Sequence, residues 1–138
     1  MNAISCSMYV ESIRGKGRPR VTRAGHAYTP KTTADAEAEI AALARQHMIL
    51  SGAEPIPAGT PMRVSISFTQ PLPKTRGKED PTVPYTQKPD LDNCVKLVLD
   101  AVEGILYERD QDIVSLIARK DRAPHGERAR IEIQVQPI

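Results

Sequence analysis

The sequence predicts an α+β domain, a mixed β-sheet with two main helices packed on it. Three observations carry this reading. The stretches Ile4 to Val10, Met62 to Phe68 and Ile131 to Val135 alternate apolar with polar residues. Two longer stretches, Ala36 to Leu50 and Leu91 to Leu106, repeat apolar residues at helical spacing. These elements follow one another as β, α, β, loop, α, β, β within 138 residues, which suits one domain over 1–138 and no second.

In the first strand Ile4, Cys6, Met8 and Val10 form the apolar face, and Gly15 and Gly17 break it. Arg14 to Thr29 is basic and rich in Gly and Pro, a loop or irregular ribbon. Thr32 with Asp35 three residues on resembles a capping box. The helix it opens carries Ala36, Ile40, Leu43, Ala44, His47 and Leu50 on one face until Gly52, with His47 read as a core histidine. Ala53 to Pro61 holds three prolines and reads as a connection; Met62, Val64, Ile66 and Phe68 then mark the clearest strand. Residues 70–89 form a long basic Pro-rich loop, too broken for a packed element. Asp90 can cap the second helix, whose apolar face is Leu91, Val95, Val98, Leu99, Val102, Ile105 and Leu106, with Gly104 loosening its end. Ile113 to Ala118 is a β-branched apolar run, and Ile131, Ile133 and Val135 make the last strand.

Nineteen basic and 17 acidic side chains leave a net charge of +2, so distribution rather than total charge must reveal a nucleic-acid partner. Phe68 and four tyrosines are the only aromatics, too few for a base-stacking platform. Cys6 and Cys94 show neither disulfide nor zinc spacing, which makes a reducing cytoplasm the expectation. No signal peptide or membrane-spanning run is visible.

Asp90 and Asp92 flank the start of the second helix, with Asn93 beside them and Lys96 one turn beyond Asp92. Two acids one residue apart can offer oxygens to a hard divalent cation, and Asp110 or Asp112 could supply a third. From spacing alone a simpler reading is favoured, in which Asp90 caps, Asp92 meets the helix dipole and Lys96 pairs at i,i+4. An EF-hand is excluded, because Cys94 and Val95 stand where that loop needs an oxygen ligand and Gly. His26, His47 and His125 have no metal-site spacing, and Cys94 reads as a small buried residue. The Lys16-Gly17-Arg18-Pro19-Arg20 stretch and the group Lys74, Arg76, Lys78 and Lys88 are candidate phosphate contacts, the latter abutting Asp90. Carboxylates beside cationic loops are the combination expected of phosphodiester hydrolysis.

Together, Lys16-Gly17-Arg18-Pro19-Arg20, Tyr28-Thr29-Pro30, Lys88-Pro89-Asp90-Leu91-Asp92-Asn93 with Lys96, and Gly104-Ile105-Leu106-Tyr107 through Asp110 to Val114 resemble the RusA family of Holliday junction resolvases. The Pro-rich loop before Asp90 is similar to that of phage and prophage members. The resemblance implies a homodimeric, Mg2+-dependent endonuclease that binds four-way junction DNA and makes paired symmetric nicks. It places the metal-binding catalytic aspartates at Asp90, Asp92 and Asp110 and the functional lysine at Lys96. Many members carry two adjacent acids where this chain has Arg109-Asp110. Gapless alignment on Ile113-Val114 selects Asp110, and a one-residue shift leaves Asp112 as the candidate. Lys16, Arg18, Arg20 and Lys88 would hold the flanking DNA backbone. A junction-binding protein that has kept the fold and lost turnover is the alternative.

Overall fold

The computed structural model describes residues 2–17, 20–28, 31–71, 83–84, 86–124 and 126–138. Strand β1 (Ile4–Val10) is followed by a two-stranded ribbon, β2 (Arg20–Val21) with β3 (Ala27–Tyr28), and by helix α1 (Lys31–Ser51). Strand β4 (Met62–Pro71), the short β5 (Val83–Pro84) and helix α2 (Leu91–Val102) come next, and a single 3-10 turn (Asp110–Asp112) leads into β6 (Ile113–Ala123) and β7 (Ala129–Pro137).

The main sheet has the order β1-β7-β4-β6-β5. Its one parallel pair among the described residues is β4 with β6, the pair that α2 connects, as a crossover requires. Alternation drives the layering. Ile4, Cys6 and Met8 stand opposite Val135, Ile133 and Ile131, and these stand opposite Val64, Ile66 and Phe68, so one face of the sheet is continuously apolar. Both helices cover that face, α1 also packing on α2. The other face carries Ser5, Ser7, Ser65, Ser67, Glu132 and Gln134. The mixed α+β architecture expected from the sequence is the one observed, and no helix among the described residues is long and apolar enough to cross a membrane.

Several boundaries differ from expectation. Helix α1 begins at Lys31, so Thr32 lies inside the first turn rather than at the cap. Its buried stripe runs through Thr33, Ala36, Ile40, Ala41, Ala44 and Met48, leaving Leu50 exposed and His47 only half-buried. Helix α2 stops at Val102, because Gly104 adopts φ +81° and turns the chain where the apolar spacing would have continued it. Leu106 and Tyr107 are buried all the same, and the Tyr107 hydroxyl donates to the Leu99 carbonyl at 2.8 Å. The 70–89 loop is shortened at its start, where Gln70 and Pro71 complete β4, and interrupted by Val83–Pro84, which pairs with Asp121 and Arg122. Lys74, Arg76 and Lys78 lie outside the described residues.

Strand β6 has an unusual edge. Beyond Asp121 and Arg122 it has no strand on the side away from β4 among the described residues, and Val114, Leu116 and Ile117 are 62, 46 and 60% exposed along it.

Candidate active site

The start of α2 is built from three directions. Asp90 occupies the N-cap position, where its carbonyl accepts from the Cys94 amide, but its side chain makes no capping bond. The carboxylate instead meets the Lys88 ammonium at 2.8 Å, and that bond holds Asp90 below the ordinary carboxylate range. Asp92 lies exposed in the first turn and its side chain makes no hydrogen bond or ion pair among the described residues. Lys96 pairs with Asp100 at 3.1 Å rather than with Asp92. The simpler reading thus holds in part: Asp92 stands in the first turn and Lys96 pairs at i,i+4 with Asp100, while the Asp90 side chain pairs with Lys88 instead of capping the helix.

The segment after β1 forms the facing wall. The Lys16 amide donates to the Asn93 carbonyl at 2.9 Å, and the Gly17 amide donates to Thr33 Oγ1 at 2.9 Å. A Cβ on Gly15 would sit 3.0 Å from the Cβ atoms of both Asn93 and Pro89, so only glycine lets this wall approach the helix start so closely. Arg14, Lys16, Thr33, Lys88, Asp90 and Asn93 share a cleft of about 430 Å³. Arg14 was not singled out from the sequence; its position in the basic Arg14 to Arg23 run was the available signal.

Lys16 belongs to this wall, yet its ammonium is already matched: Glu37 of α1 lies at 2.8 Å and Asp100 of α2 at 2.5 Å. Burial opposes the charge of both Lys16 and Asp100, but their bonds win, raising Lys16 and, with Lys96, lowering Asp100. A carboxylate with a depressed pKa stabilises the fold above its ordinary value of 3.8 and loses that contribution as pH falls through the depressed value. A lysine with a raised pKa contributes below 10.5 and loses it as pH rises beyond. Asp100→Asn is accordingly expected to melt below wild type at neutral pH, with the gap narrowing below about pH 4, as thermal denaturation across pH would show.

Asp110 and Asp112 lie at the far end of α2. The Asp110 amide donates to Glu103 at 2.8 Å, which ties it to the residue that ends the helix. Twelve residues of helix separate that end from Asp90, roughly 18 Å at 1.5 Å per residue. Within one chain, no three His, Cys, Asp or Glu side chains among the described residues are grouped to hold a metal. The two far acids also differ. Arg109 grips Asp112 through two bonds of 3.1 and 2.8 Å and the Gly59 amide adds a third at 2.8 Å, which together hold Asp112 low. The Asp110 carboxylate makes no hydrogen bond or ion pair among the described residues. Arg18 and the Arg20 side chain lie outside the described residues. Cys94 is fully buried, and burial pushes its thiol up to about 11, which removes it as a nucleophile at neutral pH.

Comparison with known proteins identifies the family. The chain is 29% identical over 149 residues to "Uncharacterized protein YqaN" of Bacillus subtilis (strain 168), covering 100% of this chain and 99% of the relative. The family model described as "Endodeoxyribonuclease RusA" matches residues 12–136, from the wall of the cleft to the end of the last strand. That span takes in both ends of α2 and the main sheet apart from β1 and the last residue of β7, and the chain belongs to the RusA family of endodeoxyribonucleases.

Proposed function

We propose that this endonuclease resolves Holliday junctions by paired, symmetric, Mg2+-dependent nicks, working as a homodimer in the cytoplasm. The observation that carries the reading is the Asp92 carboxylate, exposed and without a hydrogen bond or ion pair among the described residues, two residues from Asp90, which lines a basic cleft in a RusA-family chain. Their oxygen donors fit a hard divalent cation. Such a cation supplies Lewis-acid polarisation of the scissile phosphate and a nucleophilic water. Lys88 and Arg14 line the cleft where flanking backbone would run, with Arg18 and Arg20 further along that segment. Lys96 is the functional lysine; moving from Asp100 to a phosphate oxygen, it would offset charge in the transition state. Lys16 stays on Glu37 and keeps Asp100 paired when Lys96 leaves.

The third carboxylate, Asp110, comes from a second copy. In one chain the acids sit at opposite ends of α2 and β6, and in an isologous two-fold contact residue i meets j while j meets i. Antiparallel docking of two β6 edges over the exposed Val114, Leu116 and Ile117 would bring Asp110 of each copy toward Asp90 and Asp92 of the other. Two such sites account for paired cuts.

The test incubates the protein with a labelled four-way junction and a matched duplex, with Mg2+ or EDTA, across a salt series. Symmetric nicks confined to the junction and to Mg2+ are expected, with affinity falling steeply as salt rises. Binding without nicks would favour the lapsed, architectural protein. Absence of any junction preference would overturn both.

A further inference from the structure

We propose that Lys120 is a positioning residue for the Asp90 carboxylate, acting through the main chain just before it; this role rests on the metal reading of Asp90 given above. Lys120 lies on β6 opposite Phe68 of β4, on the helix side of the sheet. Its ammonium donates to the Gln87 carbonyl at 2.9 Å and to the Pro89 carbonyl at 2.7 Å. Two residues on, Arg122 donates to the Gln87 side-chain oxygen at 2.6 Å and to the Pro71 carbonyl at 3.2 Å. The end of β6 thus holds the strand of chain that leads into α2.

The Pro89 carbonyl and the Asp90 amide belong to one rigid peptide plane. Holding the carbonyl holds that plane, and with Asp90 at φ −65° at the head of α2 this sets the direction in which its side chain leaves the backbone. Gly15 also closes on Pro89, where a Cβ in its place would lie 3.0 Å from the Pro89 Cβ, so the residue is packed as well as bonded. Asp90 has no capping bond of its own to set its orientation. Charge-assisted bonds from an ammonium to two carbonyls are the strong kind, and supporting partners of this sort govern how well a carboxylate meets its metal. Lys120 is committed to the protein through these two carbonyls, which separates it from the cations of the cleft.

The experiment compares wild type with Lys120→Met and Lys120→Arg. Four quantities are read: Mn2+ binding to the protein without DNA by electron paramagnetic resonance, the Mg2+ concentration for half-maximal nicking, junction binding in EDTA, and melting temperature. Lys120→Met is expected to weaken Mn2+ binding and raise the Mg2+ requirement by about tenfold, leave junction binding in EDTA unchanged, and be largely rescued by Lys120→Arg. Should Lys120→Met fail to fold, Lys120→Gln, which keeps one donor, is read in the same way. Metal curves that superimpose on wild type overturn the role. So does a loss of junction binding in EDTA with the metal curves unmoved, which would make Lys120 a DNA contact. Wild-type protein that neither binds Mn2+ nor nicks overturns the metal reading itself, and the positioning role with it.

Discussion

Asp92→Asn and Asp110→Asn are each expected to lower junction nicking by about a thousandfold or more, while junction binding and melting temperature stay close to wild type. Neither side chain has a hydrogen bond or ion pair among the described residues, so the fold loses little when its charge is removed. A divalent cation, by contrast, loses a ligand. Asp112→Asn is the control. It removes the charge that Arg109 grips and one of the two oxygens that accept from Arg109 and the Gly59 amide, and should lower the melting temperature while nicking continues. Nicking rates and thermal melts on the three variants separate the roles. Inactivity of Asp112→Asn with full activity of Asp110→Asn would reverse the assignment. It would also favour the shifted alignment in which Asp112 replaces Asp110.

The second large effect is a recovery. When Asp92→Asn and Asp110→Asn proteins are mixed and allowed to exchange subunits, each hybrid dimer places both defects in one site and leaves the other intact. Random exchange makes about half the dimers hybrid, so about a quarter of all sites should work. Two individually inactive proteins would then nick junctions together, and the products should be single nicks rather than symmetric pairs. Sites complete within one chain predict no recovery, provided exchange is verified by a tagged subunit. A change of Ile117 to Asp on the exposed β6 edge should abolish the recovery and the dimer together, as sedimentation would report.

Much of the fold was legible because half-buried strands must alternate. β1, β4 and β7 each bury every second residue against the same helical layer, and their patterns survive without any knowledge of partners. The end of β6 was not legible. Arg119 to Arg122 are charged, and their place in a strand depends on Arg119 neutralising the buried Asp121 and on Lys120 and Arg122 reaching main-chain carbonyls 31 to 51 residues away. The β2–β3 ribbon lies where the sequence suggested a loop or irregular ribbon, but its two-residue strands carry no period by which to place them. The end of α2 was overrun for the opposite reason. Ile105 and Leu106 keep helical spacing although Gly104 has already turned the chain.

The site divides along the same line. Asp90 and Asp92 are neighbours in sequence, so their pairing could be read directly. The occupation of Lys16 could not, since Glu37 and Asp100 come from two different helices that meet only in the folded molecule. Arg109 was a puzzle as a departure from an acidic pair; its bidentate grip on Asp112 gives it a structural task. Sequence proximity of Asp110 to the helix concealed the length of α2 that keeps it from Asp90.

That length has a consequence for how the protein would behave in a cell. When a cutting centre can form only between two copies, its abundance follows mass action, and at concentrations below the pairing constant it rises with the square of the amount of protein. A few stray molecules would be nearly harmless to a chromosome, and a modest burst of synthesis would arm them. With the site shared between two copies as proposed, the span of one helix would act as a dosage threshold, separating a chain that merely tolerates DNA from a pair that cuts it.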